Sequence, residues 1–453
     1  MRIYRDLAKA MDSIPIVDTH EHLIEGPFNL RKVIENSYVW WVVPGSGVKS
    51  SGYTKSEFQG LLEDRWWDLA LERLKAVSNT AFFRHLLLAF KDLYDFDFTR
   101  PTREGAEKLS ERIWLAYHNP GWYDTVVRDK AGVDIVLHDK YWVVGDISEP
   151  KSFYKPVIRL DSFLYGFNPT AKDHDGNTPY SFAERIGYQV SNFDEYLGLI
   201  DEFFERGMGK GIGPASSDIQ PAVALKCASA YDRPLSFGWP SKEEAEDAFA
   251  RLWRWNESSG AGGTSSPSSS FPDSSSPTTQ FPPDQVRKFQ DYVFQYAVKR
   301  AIEYDLPIQI HTGLASLNGS NPVNLWSLIK AYPEGKFILL HGGYPWTSEA
   351  GAMAASFENV YVDLCWIPVI SPEGARRALS EWIEVIPSNR ILWGGDAWSP
   401  EALYGSARMA KDVVTQVLSQ KVGEGYLSMT EAVDLGERIF RDNALALFSK
   451  IRP

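Results

Sequence analysis

Eight short runs of apolar and β-branched residues punctuate the chain, and their spacing constrains the fold more than any other feature. They are IPIVDTH (14–20), GVDIVLH (132–138), PVIRLDSFL (156–164), PAVALKCASA (221–230), LPIQIHTG (306–313), KFILLHGG (336–343), NVYVDLCW (359–366) and RILWGGDAW (390–398). Most are followed by a polar or glycine-containing turn and then by a stretch of helical periodicity. Near-continuous hydrophobicity suits parallel strands buried on both faces, and strand/helix alternation predicts a parallel α/β architecture. The length, 453 residues, allows two or three average domains or one decorated barrel. Eight units favour the barrel, so the expectation is a single (β/α)8 TIM-barrel domain over residues 1–453.

Helical periodicity is plain after the later strands. TSEAGAMAASFE follows the sixth, SPEGARRALSEWIEVIP with its Ser-Pro start follows the seventh, and two long helical segments close the chain after the eighth. Two regions break the rhythm. Residues 24–131 separate the first two strands and contain FRHLLLAFKDLYDF and REGAEKLSERIWLAYH, with aromatic clusters YVWW (38–41) and RWW (65–67). They predict a helical insertion that acts as a cap. Residues 258–283 are low in complexity and rich in Ser and Pro, too poor in apolar area to offset the entropy of ordering, and predict a mobile loop.

The composition, 44% hydrophobic and 23% charged, is that of a globular protein with a large core. A formal net charge of −12, with no block of basic residues, argues against nucleic acid and anionic membranes as partners. Two cysteines, Cys227 and Cys365, cannot make a disulfide scaffold. The opening MRIYRDLAKAMDSIP lacks an apolar leader, no stretch nears ~18 uninterrupted apolar residues, and the expected location is cytoplasmic.

Barrel enzymes carry their chemistry at the C-terminal ends of the strands. Of eight histidines in the chain, His20 and His22 end the first run, His311 the fifth and His341 the sixth, and Asp396 ends the eighth. Residues i and i+2 of a strand share a face, so His20 and His22 can bind one ion together. Any one of these residues alone reads as a buried, satisfied polar group. Together they form a set of nitrogen and oxygen donors suited to Zn²⁺ or a similar divalent ion. Lys226 lies on the fourth run. Arg159, on the third, has the fork geometry that receives a carboxylate, or else pairs with Asp161 or another acid, and Arg233 is a second residue of that kind. Tyr344, Trp366 and Trp398 follow strands six, seven and eight, where they line the mouth or pack beneath loops. His138 ends the second run, where it faces the site or belongs to a turn, and it is not promoted; His85 and His118 are set aside as helix residues, His174 as a turn residue and both cysteines as core residues.

With DTHEH on the first strand, His on the fifth and sixth, and Asp after the eighth, the chain resembles the amidohydrolase superfamily of metal-dependent barrels. ILWGGDAWSPEALYGSARMAKDVV and SMTEAVDLGERIFRDNALALF are similar to the closing segments of the amidohydrolase-like domains found in some glutamine synthetase-like proteins, and the insertion is similar to that of uronate isomerases. The resemblance implies His20, His22, His311 and Asp396 as metal ligands and Asp396 as general base. It makes His341 a second-metal ligand or the group that polarises the substrate carbonyl. It raises the question whether Lys226 is carboxylated and bridges two metals; otherwise Lys226 binds a substrate carboxylate or pairs with an acid. The implied cofactor is a divalent metal, Zn²⁺ with Mn²⁺ or Fe²⁺ as alternatives, one ion rather than two, and the implied assembly a homo-oligomer.

The expected activity is hydrolysis of an amide or other C–N bond, or of an ester or lactone, in a small substrate bearing a carboxylate. The alternatives are uronate isomerisation or decarboxylation on the same site, and a barrel without activity that serves as a scaffold. The segment GGDAWSPE departs from the Arg-containing segment expected after this aspartate in uronate isomerases, and no ligand is missing, which sets both below hydrolysis.

Overall fold

The computed structural model describes residues 2–41, 60, 62–210, 220–255 and 280–451. Each of the eight runs contributes a strand: β1 (Ile16–Glu21), β2 (Val133–Asp139), β3 (Tyr154–Arg159), β4 (Ala224–Cys227), β5 (Ile308–His311), β6 (Phe337–Leu340), β7 (Val360–Asp363) and β8 (Ile391–Leu392). They form one sheet in the order β1 to β8, and the fold class is the (β/α)8 barrel. Pairing from β3 to β7 is parallel and in register, with Arg159 opposite Lys226, Lys226 opposite Gln309 and His311 opposite Leu340. β4, β5 and β6 are buried at every position, as their unbroken hydrophobicity requires.

All the strands but β2 are shorter than the runs that announce them. β3 stops at Arg159, and Asp161–Tyr165 is a 3-10 turn. β4 stops at Cys227 before the turn Ser229–Tyr231, and β8 keeps two residues of its nine-residue run. The residues beyond the last ladder bond are apolar because they pack beneath loops, and hydropathy does not separate that role from strand.

After β5 to β8 the chain turns through a left-handed residue each time: Gly313 (φ 85°), His341 (φ 62°), Trp366 (φ 63°) and Asp396 (φ 61°). Three of the four are not glycine, a conformation uncommon for residues with a Cβ and concentrated where function over-determines the backbone.

Two compact units divide the chain. The first comprises Met1–Val136, Leu364–Glu384 and Leu392–Asp442. It contains β1, the segment 24–131 and the long helix Pro400–Gly423, whose start is set by Ser399 accepting from Ala402 N and by proline in the first turn. Between β1 and β2 lie helices Leu30–Glu35, Glu63–Ala76, Ala81–Tyr94 and Arg103–Ala116. The second unit comprises Leu137–Asp363, Val385–Ile391 and Asn443–Pro453 and contains β3 to β7. Its helix Pro283–Glu303 begins at the last residue of the expected mobile stretch, which otherwise falls largely on 256–279, outside the described residues. Among the described residues no helix is long and apolar enough to cross a membrane.

Candidate metal centre

In the first unit, β1 delivers His20 and His22 to one place. Both are buried, their rings 4.7 Å apart and nearly perpendicular. Their Nε2 atoms converge on a single oxygen, Asp396 Oδ1, at 3.7 Å from His20 and 3.3 Å from His22. The three donor atoms lie within 4.8 Å of one another. Two ligands held 2.0–2.2 Å from a tetrahedral ion sit roughly 3.4 Å apart, so the spacing as well as the chemistry of this set fits a divalent cation. Trp398 stacks on His22 at 5.4 Å and 24°, which fixes the ring plane.

Asp396 is held through its peptide. Its N–H donates to His20 O at 2.9 Å, and its carbonyl accepts from the Tyr38 hydroxyl at 2.7 Å. On either side, Gly395 N donates to Asp18 Oδ1 (3.1 Å) and Ala397 N to Glu21 Oε2 (2.5 Å). The two glycines of GGD are there because β1 is close. A Cβ on Gly394 would lie 2.8 Å from Thr19 Oγ1, and one on Gly395 would lie 1.9 Å from Glu21 Oε1. Glu21 is buried beside Asp18, and desolvation followed by the Asp18 charge raises its carboxyl well above the ordinary range.

In the second unit His311 closes β5 and His341 follows β6, with their rings 4.3 Å apart, and Tyr231 lies 4.5 Å from His311. Burial, helped by the charges of His341 and Lys226, pushes His311 well below its ordinary pKa, so it is the neutral imidazole a metal requires. Lys226 is buried in β4.

Arg159 and Arg233 hold carboxylates of the protein itself. Arg159 lies 3.0 Å from Asp139, 2.7 Å from Asp175 and 3.5 Å from Asp161, the ion-pair alternative open in the sequence. Arg233 donates to Asp291 Oδ1 at 2.6 Å and to Ser236 O at 2.9 Å. Their forks are spent on these partners rather than offered to an incoming anion. Trp366 is fully buried among Tyr38, Trp41 and Phe82, whereas Tyr344 and Trp398 are partly exposed.

Four groups escaped the sequence reading. Asp18 precedes the histidines and Glu21 lies between them, and their signal was two acids inside a strand buried at all six positions. Tyr38 comes from the segment between β1 and β2, where nothing in the sequence links it to Asp396. His174, which does lie in a turn, has Nδ1 2.8 Å from Asp232 and Nε2 3.3 Å from Asp175. Burial alone would lower its pKa, but the carboxylates of Asp232 and Asp175 outweigh it and raise it to about 10.

Residues 170–450 match the model of the family described as amidohydrolase. A curated relative, Protein fluG of Emericella nidulans, is 37% identical over 148 residues, 31% of this chain and 17% of that protein. The chain therefore spans a small part of this relative's length. Among solved structures, uronate isomerase from Thermotoga maritima superposes with a TM-score of 0.69 at 17% identity over 99% of this chain and 97% of its own. Glucuronate isomerase from Caulobacter crescentus gives 0.69 at 14% over 100% and 95%. A candidate metal-dependent hydrolase from Lactobacillus casei gives 0.62 at 18% over 98% and 97%. At these identities the likeness is one of fold.

Proposed function

The chain belongs to the amidohydrolase family, and on that premise we propose that it is a metal-dependent hydrolase cleaving an amide or other C–N bond, or an ester or lactone, of a small substrate. The observation that carries the reading is the convergence of His20 Nε2 and His22 Nε2 on Asp396 Oδ1. His20, His22 and Asp396 would hold the ion, with His311 as the further ligand assigned by the family resemblance. Zn²⁺ suits this donor set best, with Mn²⁺ and Fe²⁺ as alternatives, and one ion is proposed rather than two. When bound, such an ion supplies a Lewis acid that acidifies water to a pKa of about 7 and polarises a carbonyl.

The remaining steps fall to side chains. Asp396 accepts the proton of the attacking water at its carboxylate and returns it to the leaving nitrogen or oxygen. Its left-handed backbone, fixed by hydrogen bonds on both sides, presents that carboxylate without reorganisation. His341, in one of the two roles the resemblance gives it and the one that suits a single ion, donates to the carbonyl oxygen as charge builds there. Trp398, stacked on His22, keeps bulk water from one side of that ring. Lys226, buried in β4, is the residue proposed to meet a substrate carboxylate, while Arg159 and Arg233 pair with acids of the protein. Uronate isomerisation is placed second because GGDAWSPE departs from the Arg-containing segment expected after this aspartate in uronate isomerases.

The test begins with metal analysis of the purified protein and of a His20→Ala, His22→Ala variant. About one divalent ion per chain, lost in the variant, is expected. A screen of amides, lactones and uronates follows, with Asp396→Asn as the control that abolishes turnover while the fold stays intact. No metal in either form after incubation with Zn²⁺ or Mn²⁺, or full activity in Asp396→Asn, refutes the reading.

A further inference from the structure

We propose that Tyr38 is a positioning residue for Asp396: its hydroxyl holds the peptide that carries the candidate ligand and base. The proposal rests on the reading of Asp396 given above. Asp396 has φ 61°, a conformation that persists at a residue with a Cβ only when its surroundings hold it. Three N–H groups of this turn are satisfied by β1: Gly395 by Asp18, Asp396 by the His20 carbonyl, and Ala397 by Glu21. The Asp396 carbonyl takes its donor from elsewhere, the Tyr38 O–H at 2.7 Å.

The donor itself is fixed. Tyr38 is 4% exposed, and its ring packs 4.7 Å from Trp366, 5.0 Å from Trp398, 5.6 Å from Phe82 and 5.7 Å from Trp41. Four aromatic neighbours leave the hydroxyl little freedom to seek another acceptor. One of them, Trp398, also stacks on His22, so the same ring cluster touches the plane of one metal-ligand candidate and the peptide of another. Without the hydroxyl the buried carbonyl would lose this donor. The peptide would turn to find another, and the Asp396 Cα would move with it, taking the carboxylate away from the His20 and His22 nitrogens.

Tyr38→Phe keeps the ring and removes only the donor. Protein stripped with a chelator is titrated with Co²⁺ in competition with a chromogenic chelator, and the visible spectrum of the Co²⁺ form is recorded. The set comprises the wild type, Tyr38→Phe, Asp396→Ala and the double variant, with Phe98→Leu as a packing control. Tyr38→Phe is expected to weaken Co²⁺ binding about 10–100-fold and to change the visible bands. That loss should vanish in the Asp396→Ala background, and Phe98→Leu, which alters a buried ring packed on Phe83 and Phe90 rather than on Tyr38, should lower the melting temperature while leaving affinity within about twofold. Wild-type affinity and spectrum in Tyr38→Phe, alongside a loss in Asp396→Ala, overturns the role of Tyr38 alone. A Tyr38→Phe loss that persists in the Asp396→Ala background shows a general structural effect and also overturns it. An Asp396→Ala variant with unchanged affinity removes the ligand reading itself, and the proposal with it.

Discussion

Gly395→Ala is the substitution that the geometry around β1 penalises most directly. The new methyl would stand 1.9 Å from Glu21 Oε1 and 3.1 Å from Asp18 Oδ2, well inside contact distance. Glu21 has no easy retreat. It is fully buried beside Asp18, and its other oxygen accepts from Ala397 N at 2.5 Å. Forcing a methyl into a packed site costs about 1–3 kcal/mol. Stripping the buried Ala397 N–H of its acceptor adds about 1–3 kcal/mol more. The expected destabilisation is therefore about 2–6 kcal/mol, measured by equilibrium urea unfolding followed through tryptophan fluorescence. Gly423→Ala is the matched control, because a Cβ there meets nothing within 4 Å, and it should be neutral or stabilising by up to about 1 kcal/mol. In a Glu21→Ala background most of the Gly395→Ala penalty should disappear, since the obstructing carboxyl is gone. Gly395→Ala within about 0.5 kcal/mol of wild type, or a penalty unchanged by Glu21→Ala, refutes the steric argument.

His174 gives a pH signature with a definite sign. Its folded pKa, raised to about 10 by Asp232 and Asp175 against the pull of burial, lies above the unfolded value of about 6.5. Its contribution is therefore complete below pH ~6.5 and fades as pH rises towards 10, so the stability gap between wild type and His174→Gln should be widest near pH 6 and close in alkaline urea melts. Arg159→Gln leaves Asp139, Asp161 and Asp175 without their common cation and should cost about 3–5 kcal/mol of stability, whereas a mere rise in KM with unaltered unfolding would restore the substrate-binding role. Cys227 and Cys365 are both buried, and the Cys227 thiol is pushed up to about 12 by burial and then by Asp161, so neither should react with a thiol reagent until the protein is unfolded.

What the sequence made legible follows from which forces are local. The eight strands could be read because burial on both faces writes itself as unbroken hydrophobicity, and the position of His20, His22, His311, His341 and Asp396 at run ends needed only strand counting. Strand ends were not legible. In RILWGGDAW the apolar and small residues beyond Leu392 serve a turn packed on β1, and composition alone does not tell a ladder from a close approach. The partners of Arg159 come from the end of β2, the turn after β3 and position 175, so its ion pairs exist only once three separated segments are in place. Tyr38 lies 358 residues from the carbonyl it meets, and no periodicity in the chain records that distance.

The hexapeptide IVDTHE and the turn 393–398 have a consequence for anyone who would transplant this site. Asp18, His20 and Glu21 accept bonds from Gly395, Asp396 and Ala397, so the two histidines cannot be moved to another scaffold as a pair of point changes. The two segments are a cassette that must travel whole, glycines included. A barrel given only HxH and a distant aspartate would carry the donors without the clamp that sets the carboxylate between them.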